Sequence, residues 1–408
     1  LTIIFPGITT SPPYFLTPSL RPALSRPFLD DPPAFFVAII YLFITSASTL
    51  ASTFSIFLVG LTIFSASAKT LKIQMTFPKT SYDAQIVGMW AERVTGLTGG
   101  SLKFELLGAG EVVGVKETLE AVDKGLVDGG AAWTHYWSNY HPAAMLFGSP
   151  VAGGGIGLST KSWLAWYFDN GGKALYDQLW DEMGMNVKGF IMASSGPEAL
   201  GWFKEPINSM ADFRKYRFRT PPGIPGQTYK DIGVASVSMG GGDILPALEK
   251  GTIDAAEWCC PKPDLVFGFQ KVLKNYYLQG LHQNVVNGDI FFNKDVYNKL
   301  SKQEKYAMEI ASEAMITRNI TNRAVENGKA LIELTTKHGV ILHDTPADYF
   351  VEYMAAAKAT ILKNSKENAF FDKVYKHMTA HAKIVVPFIA QMETSDASIG
   401  TAFANAQK

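Results

Sequence analysis

Two distant stretches of the chain follow one plan. The first is Ala121-Val122-Asp123-Lys124-Gly125-Leu126-Val127-Asp128-Gly129-Gly130-Ala131-Ala132-Trp133; the second is Ala247-Leu248-Glu249-Lys250-Gly251-Thr252-Ile253-Asp254-Ala255-Ala256-Glu257-Trp258. Each reads as a helix end, then a glycine where a positive φ costs little. An apolar or β-branched pair follows, then an aspartate, small residues and a tryptophan. In the second copy Thr252-Ile253-Asp254 reads as the strand. A helix that empties through a tight turn into a strand belongs to an α/β fold. The copies lie too far apart for a solenoid, so they suit two lobes using the same strand-exit device. Ligands of open α/β sheets sit beyond the carboxyl ends of strands, and both copies then deliver residues to one cleft.

The rest of the pattern agrees. "LKIQMTF" (71–77) alternates as a strand and residues 81–94 repeat at helical spacing. "SLKFELLG", "VKGFIMASS", "YRFRTPPG" and "VILHDT" read as further strands. Residues 301–338 form one long helical pattern, closed by Gly339 with Lys337 and His338 in its last turn. The predicted architecture is α/β: two lobes of mostly parallel central sheet, joined by strands and a spine helix. Residues 69–190 with 284–330 form lobe I. Residues 191–283 with 331–408 form lobe II and its C-terminal helices.

Residues 1–68 stand apart. No charged residue occurs from Pro32 to Ala68, and Ala66-Ser67-Ala68 precedes Lys69. That predicts an export leader cleaved near Ala68 and a periplasmic mature protein. The rival reading is a membrane span, because the uncharged run exceeds the roughly 20 residues that a span needs. The first methionine is Met75, so the start of the leader also reads as a mis-assigned upstream start. The 37 basic and 37 acidic residues cancel. Without a basic block, nothing favours nucleic acid as a partner.

Candidate chemistry gathers around the second copy. Glu257 and Trp258 follow a strand directly; the carboxylate suits a hard cation or a ligand donor, and the indole a wall. Arg219 ends a strand before Pro221-Pro222-Gly223, where its planar fork suits a carboxylate clamp. Cys259 and Cys260, the chain's two cysteines, read as small buried residues or a vicinal disulfide. His377 and His381 share a helix face but fall short of a zinc set, and read as exposed. Asp243 after three glycines reads as a helix N-cap rather than part of a phosphate loop.

"RFRTPPG" followed by "GGDILPALEKGTIDAAEW" resembles the solute-binding subunit of TRAP (tripartite ATP-independent periplasmic) transporters, across essentially the whole mature chain. The resemblance is nearest to the branch that takes 2-oxo acids with a metal ion. It implies two α/β lobes closing on a small organic anion, with Arg219 pairing the ligand carboxylate. It also implies a metal held by Glu257, the Trp258 backbone carbonyl and a side chain just before "GWFKEP". A glutamine is expected there, but Glu198 of "SSGPEALGWFKEP" stands in that register. Two carboxylates favour Ca²⁺ over Na⁺, and no organic cofactor is implied. Trp133, Tyr136 and Trp137 would line the opposite wall, where His135 would bond a ligand oxygen, with Trp202 and Phe203 as further bulky walls. The partners implied are a small organic acid anion, TRAP-type permease subunits and a second copy in a homodimer. The competing reading is a secreted two-lobed enzyme acting through Glu257 and Glu198, or Cys259. A sensor that signals without transport is a third.

Overall fold

The computed structural model describes residues 68–406; the expected leader lies outside them. Eleven strands form two sheets. They are β1 (Lys69–Met75), β2 (Leu102–Leu107), β3 (Gly129–Trp133), β4 (Val187–Ser195), β5 (Gly201–Phe203), β6 (Arg217–Thr220), β7 (Ala235–Ser238), β8 (Ala255–Ala256), β9 (Asn275–Tyr277), β10 (Val286–Asn293) and β11 (Ile341–His343). One sheet runs β2-β1-β3-β10-β4 and the other β11-β9-β5-β8-β6-β7.

The repeated device is present in both sheets. Helices α1 (Tyr82–Leu97) and α2 (Thr118–Asp123) belong to the first copy's side, and α3 (Gly241–Glu249) to the second's. After α2, the Leu126 amide donates to Ala121 O and Gly125 to Val122 O. After α3, Thr252 donates to Ala247 O and Gly251 to Leu248 O. These are matching Schellman closures, which need a left-handed residue at the turn; Gly125 (φ 69°) and Gly251 (φ 65°) supply it. Asp128 then accepts the Lys72 amide of β1 at 2.8 Å, and Asp254 takes the Arg217 side chain of β6 at 2.8 Å. The emerging strands β3 and β8 run parallel to β1 and β6. On their other sides they meet antiparallel strands, β10 and β5. Each sheet is therefore mixed, and parallel pairings hold only a narrow majority. One expectation shifts: the second strand is Ala255–Ala256, not Thr252-Ile253-Asp254. Asp254 is held by Arg217 before the ladder begins, which leaves only small residues to pair.

Short segments, residues 196–200 and 278–285, carry the chain between the sheets. A third crossing is α5 (Lys302–Lys337), 36 residues long and thus about 54 Å at 1.5 Å per residue. Ser301 and Glu304 form its capping box. Its first half packs Ala307, Met308, Ala311 and Met315 against the first sheet, and Leu334 joins the core of the second. This is the expected spine. Helices α6 (Ala347–Glu367) and α7 (Ala369–Ala406) complete the chain. No helix among the described residues is long and apolar enough to cross a membrane.

Candidate functional site

Glu257 leaves β8 fully buried and meets Arg219 at the end of β6, itself 3% exposed. Arg219 Nη1 donates to Glu257 Oε1 at 2.5 Å and to the Glu257 carbonyl at 2.8 Å. Its Nε and Nη2 donate to Met239 O at 3.2 and 3.0 Å. These bonds leave one guanidinium N–H directed at no protein acceptor. The Trp258 ring lies 5.2 Å from the guanidinium carbon, within cation–π range. Gly201 permits this approach. At φ 134° a Cβ would sit 2.6 Å from the Ala256 carbonyl and 3.2 Å from Glu257 Cα, so only glycine lets β5 run against the site.

Glu198, in the segment between the sheets, is brought to the same place. One donor atom each from Glu198, Glu257 and His282 lies within 4.8 Å of the others, and all three residues are buried. Glu198 Oε2, Glu257 Oε2 and both His282 ring nitrogens have no hydrogen-bond partner. Burial first, and repulsion from Glu257 second, push the Glu198 carboxyl well above the usual range. A cation would relieve both, because it replaces lost hydration and neutralises the pair. The donor set fits an ion.

The opposite wall comes from β3 and the short helix after it, Thr134–Asn139. Trp133, His135 and Tyr136 line one cleft with Glu198, Arg219 and Trp258, enclosing about 320 Å³ counted out to the solvent at its mouth. Burial, with Arg219 adding to it, holds the His135 pKa down at about 3; the imidazole is neutral and its Nδ1 unpartnered. Behind Trp133 lies a second buried arginine, Arg323 of α5. It donates to Asp83 at 2.6 Å, to Asn319 at 3.0 Å, and to the Cys259 and Cys260 sulfurs at 3.3 and 3.5 Å. The cysteines are free thiols, both buried.

The seven expected site residues, Arg219, Glu257, Trp258, Glu198, Trp133, His135 and Tyr136, all line this cleft or adjoin it. Trp137, Trp202 and Phe203 do not: Trp137 is buried edge-on against Phe291 of β10, and the other two lie fully buried in the second sheet, where Trp202 stacks on Tyr276 and donates to Asp264. An in–out alternation is no guide on a strand covered on both faces. His377 is exposed as expected and accepts from Trp166, whereas His381 is buried against Asn170 and the Ser162 carbonyl; both help to pack α7. Asp243 sits in the first turn of α3, whose N-cap is Gly240. His282, Asp83 and Arg323 were not singled out by sequence. His282 occupies a turn between β9 and β10 with no motif around it.

Two mixed sheets around one buried, charged cleft define a two-lobed ligand-binding protein. Residues 73–368 match the model of the bacterial extracellular solute-binding proteins, family 7 (DctP), and the chain belongs to that family. The monocarboxylate 2-oxoacid-binding periplasmic protein of Nostoc sp. PCC 7120 is 31% identical over 300 residues, covering 72% of this chain and 78% of that protein. Among solved structures, a TRAP transporter solute-binding protein from Bordetella bronchiseptica shares the fold with TM-score 0.77 at 24% identity, covering 84% of this chain and all of that one. It was seen as a dimer with copurified calcium and picolinate. A TRAP periplasmic solute-binding protein from Pseudoalteromonas atlantica, with bound sodium and pyruvate, matches with TM-score 0.75 at 20% identity, covering 81% and 99%.

Proposed function

We propose that this chain is an extracytoplasmic receptor that binds a small monocarboxylate, a 2-oxo or 2-hydroxy acid, between its lobes and delivers it to a TRAP-type permease. The observation that carries the reading is the buried Arg219–Glu257 pair with Glu198 beside it: Arg219 and Glu198 line one cleft, and both carboxylates keep an unsatisfied oxygen. In this reading the unused N–H of Arg219 meets the ligand carboxylate. His135 offers a neutral nitrogen from the facing wall, and Trp133 and Trp258 shield the anion from water. Glu198, Glu257 and the Trp258 carbonyl would hold an ion, which when bound supplies positive charge to the ligand's carboxylate and 2-oxygen. The relatives' reported ligands, pyruvate and picolinate with sodium or calcium, support that class of solute.

The lobes are proposed as residues 69–190 with 284–330, and 191–283 with 331–408, with the first boundary moved to Ser195 because β4 stays paired in the first sheet to that residue. Export by cleavage near Ala68 into the periplasm belongs to the same proposal. So does a homodimer: Ile384, Phe388, Met392, Ile399 and Phe403 of α7 are all more than half exposed and fall within roughly 100° of one another around the helix. An enzymatic role for Cys259 is disfavoured because burial, then its neighbour Cys260, pushes its thiol well above the usual range, whereas a nucleophile needs the thiolate.

Calorimetric titration with pyruvate, before and after chelation, tests the reading. Stoichiometric binding that returns the acid unchanged on denaturation is expected. Turnover of the acid, or no binding of any short 2-oxo or 2-hydroxy acid, would sink it.

A further inference from the structure

His282 is fully buried in the turn that leads into β10. It is held there through Leu281, whose amide donates to the Tyr349 hydroxyl at 3.1 Å and whose carbonyl accepts from Ala152 at 2.9 Å. The imidazole has no hydrogen bond on either nitrogen. Glu257 Oε2 lies 3.5 Å from Nε2, which is too far for a good hydrogen bond. Glu198 Oε2 and Glu257 Oε2 are equally unsatisfied. Buried polar atoms without partners are costly, and one cation would answer one atom from each of Glu198, Glu257 and His282, whose ligand atoms lie within 4.8 Å of one another.

Charge and donor type narrow its identity. With an ion bound and Glu198 ionised as its ligand, the carboxylates of Glu198, Glu257 and a bound solute would carry three negative charges against one positive from Arg219. A divalent ion closes the site to zero; a monovalent ion leaves a net buried charge, which is costly. Asp83 and Arg323 cancel each other and do not alter the sum. Sodium and calcium prefer all-oxygen shells, whereas imidazole suits zinc and its first-row neighbours.

We propose that His282 is a third side-chain ligand beside Glu198 and Glu257, and that this set prefers a divalent transition ion of the zinc–cobalt class to calcium or sodium. The inference rests on the ion-assisted receptor reading above and specifies its ion. In such a shell the two carboxylates set charge and the histidine sets selectivity.

The test is competition for the purified, chelated protein among Zn²⁺, Co²⁺, Ca²⁺ and Na⁺, read by native mass spectrometry and by the visible absorption of bound Co²⁺. Co²⁺ and Zn²⁺ are expected to displace Ca²⁺ at concentrations at least about 10-fold lower. His282→Gln, with its folding checked by circular dichroism, should shift that preference toward Ca²⁺ by about 10–100-fold, since even outer partners of metal ligands have effects of that size. His282→Ala should also alter the Co²⁺ spectrum. Equal affinity for Ca²⁺ and Co²⁺ in the unaltered protein, or an unchanged preference and spectrum in both variants, would overturn the inference. Pyruvate titration separates the two levels. Binding that needs an ion but accepts calcium as readily as cobalt removes only the role of His282. Binding that survives complete chelation removes the ion-assisted reading with it.

Discussion

Trp133 beyond the first copy of the helix–glycine–strand device and Trp258 beyond the second each face a buried arginine, at 5.8 Å for Arg323 and 5.2 Å for Arg219. Each arginine is paired with a buried acid, Asp83 in one case and Glu257 in the other. The backbone that delivers them is the same: a Schellman closure, an aspartate tied to the neighbouring strand, and a short strand parallel to it. What differs is the acid. Arg323 commits four of its five N–H donors to Asp83, Asn319 and two thiols, so it closes a joint between α1, the spine and the turn after β8. Arg219 likewise commits four, to Met239 and Glu257, but Glu257, unlike Asp83, keeps a buried oxygen without a partner, beside Glu198 and His282. A satisfied buried pair fixes structure; an unsatisfied one next to a cleft is poised for a ligand.

Replacing the arginines separates those roles. Arg323→Ala leaves Asp83 buried without its counter-charge and should lower unfolding free energy by about 3–5 kcal/mol, measurable by urea denaturation. Arg219→Ala should weaken binding of a small 2-oxo acid by about 2–5 kcal/mol, roughly 30-fold to several thousand-fold, by calorimetry on folded protein. If the Arg323 change removed affinity while the Arg219 change spared it, the assignment of the two pairs would be reversed.

A second pairing across the sheets concerns acids without arginines. Asp289 of β10 accepts from Thr134 and Tyr176, and Asp264, in α4 (Pro261–Phe267), accepts from Trp202 and Tyr276. Burial raises each to about 7, against those hydrogen bonds. Between about pH 4 and 7 the folded chain therefore holds protons that the unfolded chain has released. Their contribution is fully present below about pH 4, falls as pH rises through 7 and levels off above. For a shift near three units the total is up to about 4 kcal/mol per carboxyl. Stability measured from pH 4 to 8 should fall, and Asp289→Asn should flatten part of that slope.

The smallest test asks whether the two copies are equivalent. Gly125→Ala and Gly251→Ala should each cost about 1–2 kcal/mol. Neither site has an atom within 3.4 Å of an added Cβ, so only the positive φ is penalised. Unequal losses in urea titrations would break the equivalence.

These elements differ in how much of them the sequence carries. The device was legible because a helix end, a left-handed glycine and an aspartate are local signals within a dozen residues. Arg219 and Glu257 were legible because both sit at strand exits, and Glu198 through its place before "GWFKEP". The spine's ends were marked by Ser301-Glu304 and Gly339. Asp83, His282 and Arg323 were not legible: a helix start, a turn and mid-helix positions carry no local signature, and Asp83 meets Arg323 across 240 positions. The length of β8 was hidden too, since Thr252-Ile253 has strand composition but spends its amides on the closure of α3. Trp202 and Phe203 misled because bulk alone does not say which face of a strand is the cleft.

The central claim is that the unsatisfied pair, Arg219 and Glu257, is where a small acid and an ion meet. Native mass spectrometry of the purified protein, followed by denaturation, tests it most directly. The predicted result is one small monocarboxylate and one ion per chain, released together, with chelation or Arg219→Ala emptying both and Arg323→Ala in its folded fraction leaving them bound. An acid retained in full by the chelated Arg219→Ala protein would contradict the account.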